Sequence, residues 1–174
     1  MKAIAIGGLA MALAVAASGA AYAGGAKASA VLESRSGSTA TGKVTFKEQD
    51  GKVSMKVEVR GLTPGEHAIH LHDKGDCSAP DAASAGGHWN PSEEDHGKWG
   101  HAPFHHGDIG NLVANAKGKA TLTVQSEVWT IGDLKLSDVV GHAVIVHDKA
   151  DDFRTQPTGN AGGRVACGVI KKAS

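Results

Sequence analysis

The sequence predicts an all-β domain, a sandwich or barrel of about eight short strands carrying two long loops. Three observations point there. Apolar residues recur with period two over short stretches, and no helix-period pattern dominates. Glycine is abundant, 24 of 174 residues, which suits a turn-dense β structure. Two stretches, residues 73–110 and 148–163, show no such alternation. They are too long for ordinary connections in a compact domain, which marks them as functional.

The elements follow in chain order. Residues 1–23 are set apart from the fold: Lys2, an apolar run from Ala3 to Ala17, and the small-x-small pattern "AYA" at 21–23 predict a secretory signal cut after Ala23. The run is too short and too rich in Ala and Gly for a membrane span. No cysteine follows it to take a lipid. The predicted domain is then 24–174, in a periplasmic or secreted protein. "KASAVLES" (27–34) alternates. "GKVTFKEQDG" (42–51) puts Val44 and Phe46 on one face and ends in Asp-Gly, a hairpin signal. "KVSMKVEVRGL" (52–62) aligns Val53, Met55, Val57 and Val59. "EHAIHLHD" (66–73) is a strand. "NLVANAKGKATLTVQ" (111–125) reads as strand, Lys-Gly turn, strand. "GHAVIVHDK" (141–149) and "GRVACGVIKK" (163–172) complete the set.

Composition excludes some functions. Without Lys2, 17 basic residues face 18 acidic ones. A net charge near −1 and an aromatic content of 4% give no basis for nucleic-acid binding. The two cysteines, Cys77 and Cys167, are expected to close as a disulfide in an oxidising compartment. It would span a loop of about 90 residues and contribute at most about 4–5 kcal/mol in the chain-entropy account.

The chemistry is concentrated in histidine. Ten are present, five of them between residues 84 and 111. His70 and His72 are separated by one residue of a strand, so both rings project from one face. The first long loop adds His88, His96, His101, His105 and His106, with Asp95 and Asp108, and His147 closes a late strand. Imidazole is the commonest metal-ligating side chain. His67 and His142 have the opposite parity to their strands' other histidines, which assigns them structural or surface roles.

The segments "GEHAIHLHDKGDC", "SAGGHWNP", "HHGDIGN", "HAVIVHDKADD" and "TGNAGGRVACGVI" resemble the copper/zinc superoxide dismutases, most of all the secreted bacterial members. The resemblance runs from about Ala26 to Lys171. It implies a Greek-key β-sandwich or barrel and the dismutation of superoxide to dioxygen and hydrogen peroxide. It implies copper ligands His70, His72, His88 and His147, and zinc ligands His88, His96, His105 and Asp108. His88 would bridge the two metals and join Arg164 in catalysis. Arg164 matches the arginine that attracts and orients the superoxide anion. Asp151 matches an aspartate linking the free nitrogens of His70 and His96. The family's spacing selects His105, while His101 and His106 stay open as substitutes. "KWGHAP" departs from the shorter spacing expected. The second loop looks short and lacks the charge cluster of cytosolic eukaryotic members, leaving Lys149, Arg154 or lysines of the first loop to replace it.

Two other classes compete. A copper carrier on the same fold is expected to lose a copper ligand or the arginine, or to gain a thiol motif. A zinc hydrolase needs an open zinc position and a poised base. Neither explains the full ligand set. The resemblance leaves monomer and homodimer both open.

Overall fold

The structure is a computed structural model and describes residues 25–173. The expected signal and its cut after Ala23 lie outside the described residues. Period-two patterning becomes strands where the sequence predicts them: β1 (Lys27–Ser34), β2 (Thr41–Gln49), β3 (Lys52–Arg60), β4 (Gly65–His72), β5 (Asp108–Ala114), β6 (Ala120–Ser126), β7 (Ala143–His147) and β8 (Arg164–Val169). A two-residue β9 (Lys171–Lys172) adds to the edge of β1. Val53, Met55, Val57 and Val59 all face the core. Asp50 and Gly51 both take positive φ, 53° and 75°. This is the turn geometry whose twist matches the flanking strands.

The eight main strands pair antiparallel in the order β5-β4-β7-β8-β1-β2-β3-β6. The outer strands β5 and β6 pack side by side and nearly close a barrel. β7 inserts between β4 and β8, and β6 returns beside β3, which are the crossovers of a Greek key. Leu32, Val44, Phe46, Met55, Leu112 and Ile170 fill the interior.

Strands β4 and β7 are buried on both faces, and this positions the site. On β4, Ile69 and Leu71 point into the barrel, and on β7 so do Val144 and Val146. Their alternate residues face outward but lie beneath the loops. Ala143 and Ile145 pack there with Cys167, Ala82 and Ala85 in a second small apolar cluster. His70, His72 and His147 share this covered outer face.

Two loop boundaries differ from the sequence reading. Asp108, placed there in the first loop, opens β5, so that loop spans 73–107. Residues 127–142 form a third long connection, in which buried Trp129, Ile131 and Val139 join the core. The sequence reading assigned residues 126–140 to no element. The extra segment "KWGHAPF" also has a packing role. Trp99 lies 5.2 Å from Phe104 and 4.9 Å from Trp129, ring centre to ring centre.

Candidate metal centre

The first loop returns to the end of β4 and delivers its histidines there. His72 and His88 form an antiparallel bridge, and Trp89 N–H donates to Leu71 O at 2.9 Å. Gly107 passes so close that a β-carbon on it would meet the Leu71 carbonyl at 2.2 Å; only glycine fits. The pairing register shifts between Ile69 and His70 against β5, and between Val146 and His147 against β8. Such bulges re-aim side chains, and here each falls at a predicted ligand. A Cys77–Cys167 disulfide, Cα to Cα 5.8 Å, ties the first loop to β8 as expected.

Two clusters result. His70, His72, His88 and His147 bring one ring nitrogen each within 4.8 Å of one another, and so do His88, His96, His105 and Asp108 with their ligand atoms. His88 belongs to both. In the first cluster the converging atoms are buried and have no hydrogen-bond partner: His70 Nδ1, His72 Nε2, His88 Nε2 and His147 Nε2. The opposite nitrogen of every one of these rings is occupied, that of His88 by Asp108 Oδ1 at 2.9 Å. His70 Nε2 donates to Asp151 Oδ2 at 2.8 Å, His72 Nδ1 to Gly86 O at 2.9 Å, and His147 Nδ1 to Gly162 O at 3.4 Å. Each bond fixes a tautomer that leaves a lone pair facing the cluster. Four buried lone pairs left unpaired would be costly. A cation that prefers imidazole satisfies all four.

The second cluster is a carboxylate ringed by imidazoles. Asp108 Oδ1 lies 2.9 Å from His88 Nδ1, 2.9 Å from His96 Nδ1 and 3.1 Å from His105 Nδ1. Its Oδ2 accepts from the backbone N–H of His105 at 2.8 Å and of Gly97 at 3.0 Å. Burial opposes ionisation of Asp108, but the hydrogen bonds from His105, His88 and His96 outweigh it and hold the carboxyl well below its ordinary range. Three imidazoles and one carboxylate are the kind of four-ligand set that zinc favours in a closed site.

Protonation follows from this geometry. Burial lowers His70, His72 and His147, the last two most strongly, and lowers His88 to about 4. Burial also opposes charge on His96, but Asp108 on one side and Asp151 on the other raise it to about 9. His96 Nε2 lies 2.9 Å from Asp151 Oδ1, so Asp151 spans His70 and His96, the link that the family resemblance implies. Asp151 is pushed below the carboxylate range by these two histidines despite its burial.

The remaining histidines separate cleanly. His67 is buried, with its ring nitrogens 2.8 Å from His147 O and 2.9 Å from Thr63 O. His142 stacks on Trp89 at 4.3 Å. His101 is exposed, and His106 faces Trp89 at 5.3 Å. His101 and His106 enter neither cluster; His105 does. Arg164 donates to Ala82 O and Gly86 O, both at 2.7 Å.

Two site residues escaped the sequence reading, although both lie in or beside motifs quoted there. Asn111, closing "HGDIGN", accepts from Asp151 N–H at 2.8 Å and donates to Asp151 O at 3.0 Å. Gln156 makes the same paired contact with His96. An amide carries no spacing signal, so only the fold reveals its partner.

The sequence model of the copper/zinc superoxide dismutases matches residues 40–170. The chain belongs to the copper/zinc superoxide dismutase family. It is 43% identical over 149 residues to a Cu-Zn superoxide dismutase of Caulobacter vibrioides, covering 83% of this chain and 85% of the relative. It is 42% identical over 137 residues to an extracellular Cu-Zn superoxide dismutase of Drosophila melanogaster, covering 74% of each. Its fold superposes on the solved structure of the clock protein EA4 with a TM-score of 0.75 at 38% identity, over 86% of this chain and 96% of that one. This is a family of oxidoreductases, and the two clusters fit the copper and the zinc for which it is named.

Proposed function

We propose that the protein dismutates superoxide outside the cytoplasm, with copper held by His70, His72, His88 and His147 and zinc held by His88, His96, His105 and Asp108. The observation that carries this reading is the set of four buried, unpartnered ring nitrogens beside a closed three-histidine, one-carboxylate cluster, with one ring common to both. Imidazoles suit copper in both oxidation states, and the carboxylate falls on the side that needs no redox change. A copper carrier would have no use for the second cluster. A zinc hydrolase would need an open position that the second cluster lacks.

Bound copper supplies one-electron chemistry, oxidising one superoxide to dioxygen and reducing a second, which leaves as hydrogen peroxide after taking up two protons. The chain's residues do the rest. If His88 serves both clusters it would give up both ring protons, and its Nε2 would then be a place where a proton could be taken up and returned. Asp151 holds His70 and His96 in the tautomers that face their clusters. Arg164, charged at any working pH, hydrogen-bonds carbonyls and no carboxylate, so its charge stays available beside His72 and His147. A fixed guanidinium there attracts and orients a small anion. The stem of Lys74 lies over Gly86, and that of Lys149 over Gly162. These glycines carry the carbonyls that hold His72 and His147, so both lysines flank the approach and are suited to replace the missing charge cluster. Cleavage after Ala23, export, and the disulfide belong together, since an oxidising compartment keeps the bond closed. The extracellular Drosophila relative supports the same location.

The test is metal stoichiometry and superoxide decay by pulse radiolysis in one preparation. The expected result is one copper and one zinc per chain. Decay should approach the diffusional ceiling of ~10⁹ M⁻¹s⁻¹ that this enzyme family is known to reach, and be lost on removal of copper. Full copper loading with decay no faster than in buffer would overturn the reading and leave a copper-binding module.

A further inference from the structure

We infer that Gln156 is a positioning residue for the zinc site: its side-chain amide holds the backbone of His96, so that the second loop sets the reach of a ligand that belongs to the first. The inference rests on the assignment of His96 to zinc.

His96 is buried in the middle of the first loop, with no strand or helix around it. Its backbone N–H and C=O still need partners, because a buried peptide group without one is costly. One side chain supplies both. His96 N–H donates to Gln156 Oε1 at 2.8 Å, and Gln156 Nε2 donates to His96 O at 2.8 Å. The planar amide thus acts as a neighbouring strand would. The other histidines of the two clusters are anchored differently. His70, His72 and His147 lie on β4 and β7, and His88 is bridged to His72. His105 N–H is held by Asp108.

The ring of His96 belongs to the second loop as well, since Asp151 holds its Nε2. Both ends of this one ligand are therefore fixed by residues 55 and 60 positions away. Two residues beyond His96, Lys98 lies 5.9 Å from the Phe153 ring and repeats the contact between the loops. Freeing the His96 backbone leaves the ring between Asp151 and Asp108, with the Gly97 N–H bond to Asp108 as the nearest remaining backbone anchor. That costs affinity at zinc and leaves the copper cluster on its strands. The chemistry needs an amide. A carboxylate at 156 sets an oxygen against the His96 carbonyl, and a thioether fills the space with no strong donor or acceptor.

Gln156→Met and Gln156→Glu test this, with His96→Ala as the control for the ligand assignment. Zinc affinity is read by chelator competition, and the site geometry by the visible spectrum of cobalt(II) bound in place of zinc. Cooperative melting of the metal-free variants establishes that each folds. Both Gln156 variants should weaken zinc binding roughly 10–100-fold, the usual cost of losing a group that orients a metal ligand. Both should change the cobalt spectrum and leave copper affinity unchanged. Zinc affinity in Gln156→Met equal to that of the unmodified protein would overturn the inference, because the side chain would then only fill space. If His96→Ala loses zinc while both Gln156 variants keep it, the positioning role fails and the ligand assignment stands. If His96→Ala keeps zinc, the assignment itself fails.

Discussion

Arg164 and His72 share one acceptor. The Gly86 carbonyl receives Arg164 Nη2 at 2.7 Å and His72 Nδ1 at 2.9 Å. The same backbone atom that orients a histidine of the first cluster therefore holds the guanidinium beside it. The charge is fixed relative to the cluster rather than left on a flexible stem. Gly86 can present its carbonyl there because its φ is +74°, a conformation that L side chains rarely adopt.

Replacing Arg164 should slow superoxide capture. Arg164→Ala is expected to lower kcat/KM by roughly tenfold or more, the lower end of what electrostatic steering supplies, and to flatten its dependence on ionic strength. Arg164→Lys should fall between the two. It keeps the charge but cannot bond both Ala82 O and Gly86 O with one planar fork. Decay rates across a salt series check this.

Asp151→Asn should weaken both metals. Each carboxylate oxygen of Asp151 accepts one ring N–H, from His70 at 2.8 Å and from His96 at 2.9 Å. The asparagine amide turns a donor toward one of those donors and frees a tautomer. The expected loss is about 10–100-fold in affinity, read by chelator competition for copper and zinc separately.

The metal-free protein should be most stable near pH 6.5 and lose stability in both directions. Below 6.5 an unfolded histidine takes up a proton that folded His88 refuses until about 4. The unfolded state then binds more protons, so stability falls as pH falls. Above 6.5 folded His96 keeps, up to about 9, a proton that the unfolded chain has released. The folded state then binds more, so stability falls as pH rises toward 9. Urea midpoints of the metal-free protein between pH 4 and 9 should trace this dome, and bound zinc should flatten its alkaline side by taking the proton's place.

Removing the disulfide should destabilise the fold. Cys77 and Cys167 stand 90 residues apart, and a loop of that length corresponds to about 4–5 kcal/mol at most. A Cys77→Ser, Cys167→Ser variant should show a lower urea midpoint when metal-free. Arg35 still holds Cys77 O through Nη2 at 2.8 Å and Nε at 3.1 Å. The first loop should therefore stay near β8, and zinc should still bind.

The sequence by itself located most of the strands, and its resemblance to the family named the candidate ligand set. Period-two alternation is a local property, so β1 to β4 are legible residue by residue. His70 and His72 share a face for the same reason, and the family motifs point to the other ligands. The family's spacing selected His105, and the fold leaves His101 and His106 outside both clusters. Only the fold gave the position of Asp108 at the start of β5 and the packing of residues 127–142 into the barrel end. The roles of Asn111 and Gln156 were decided by tertiary structure alone. Their amides pair with backbone groups 40 and 60 residues away. A hydrogen bond to a backbone group depends on position and not on the identity of the residue met, so it leaves no pattern in the chain.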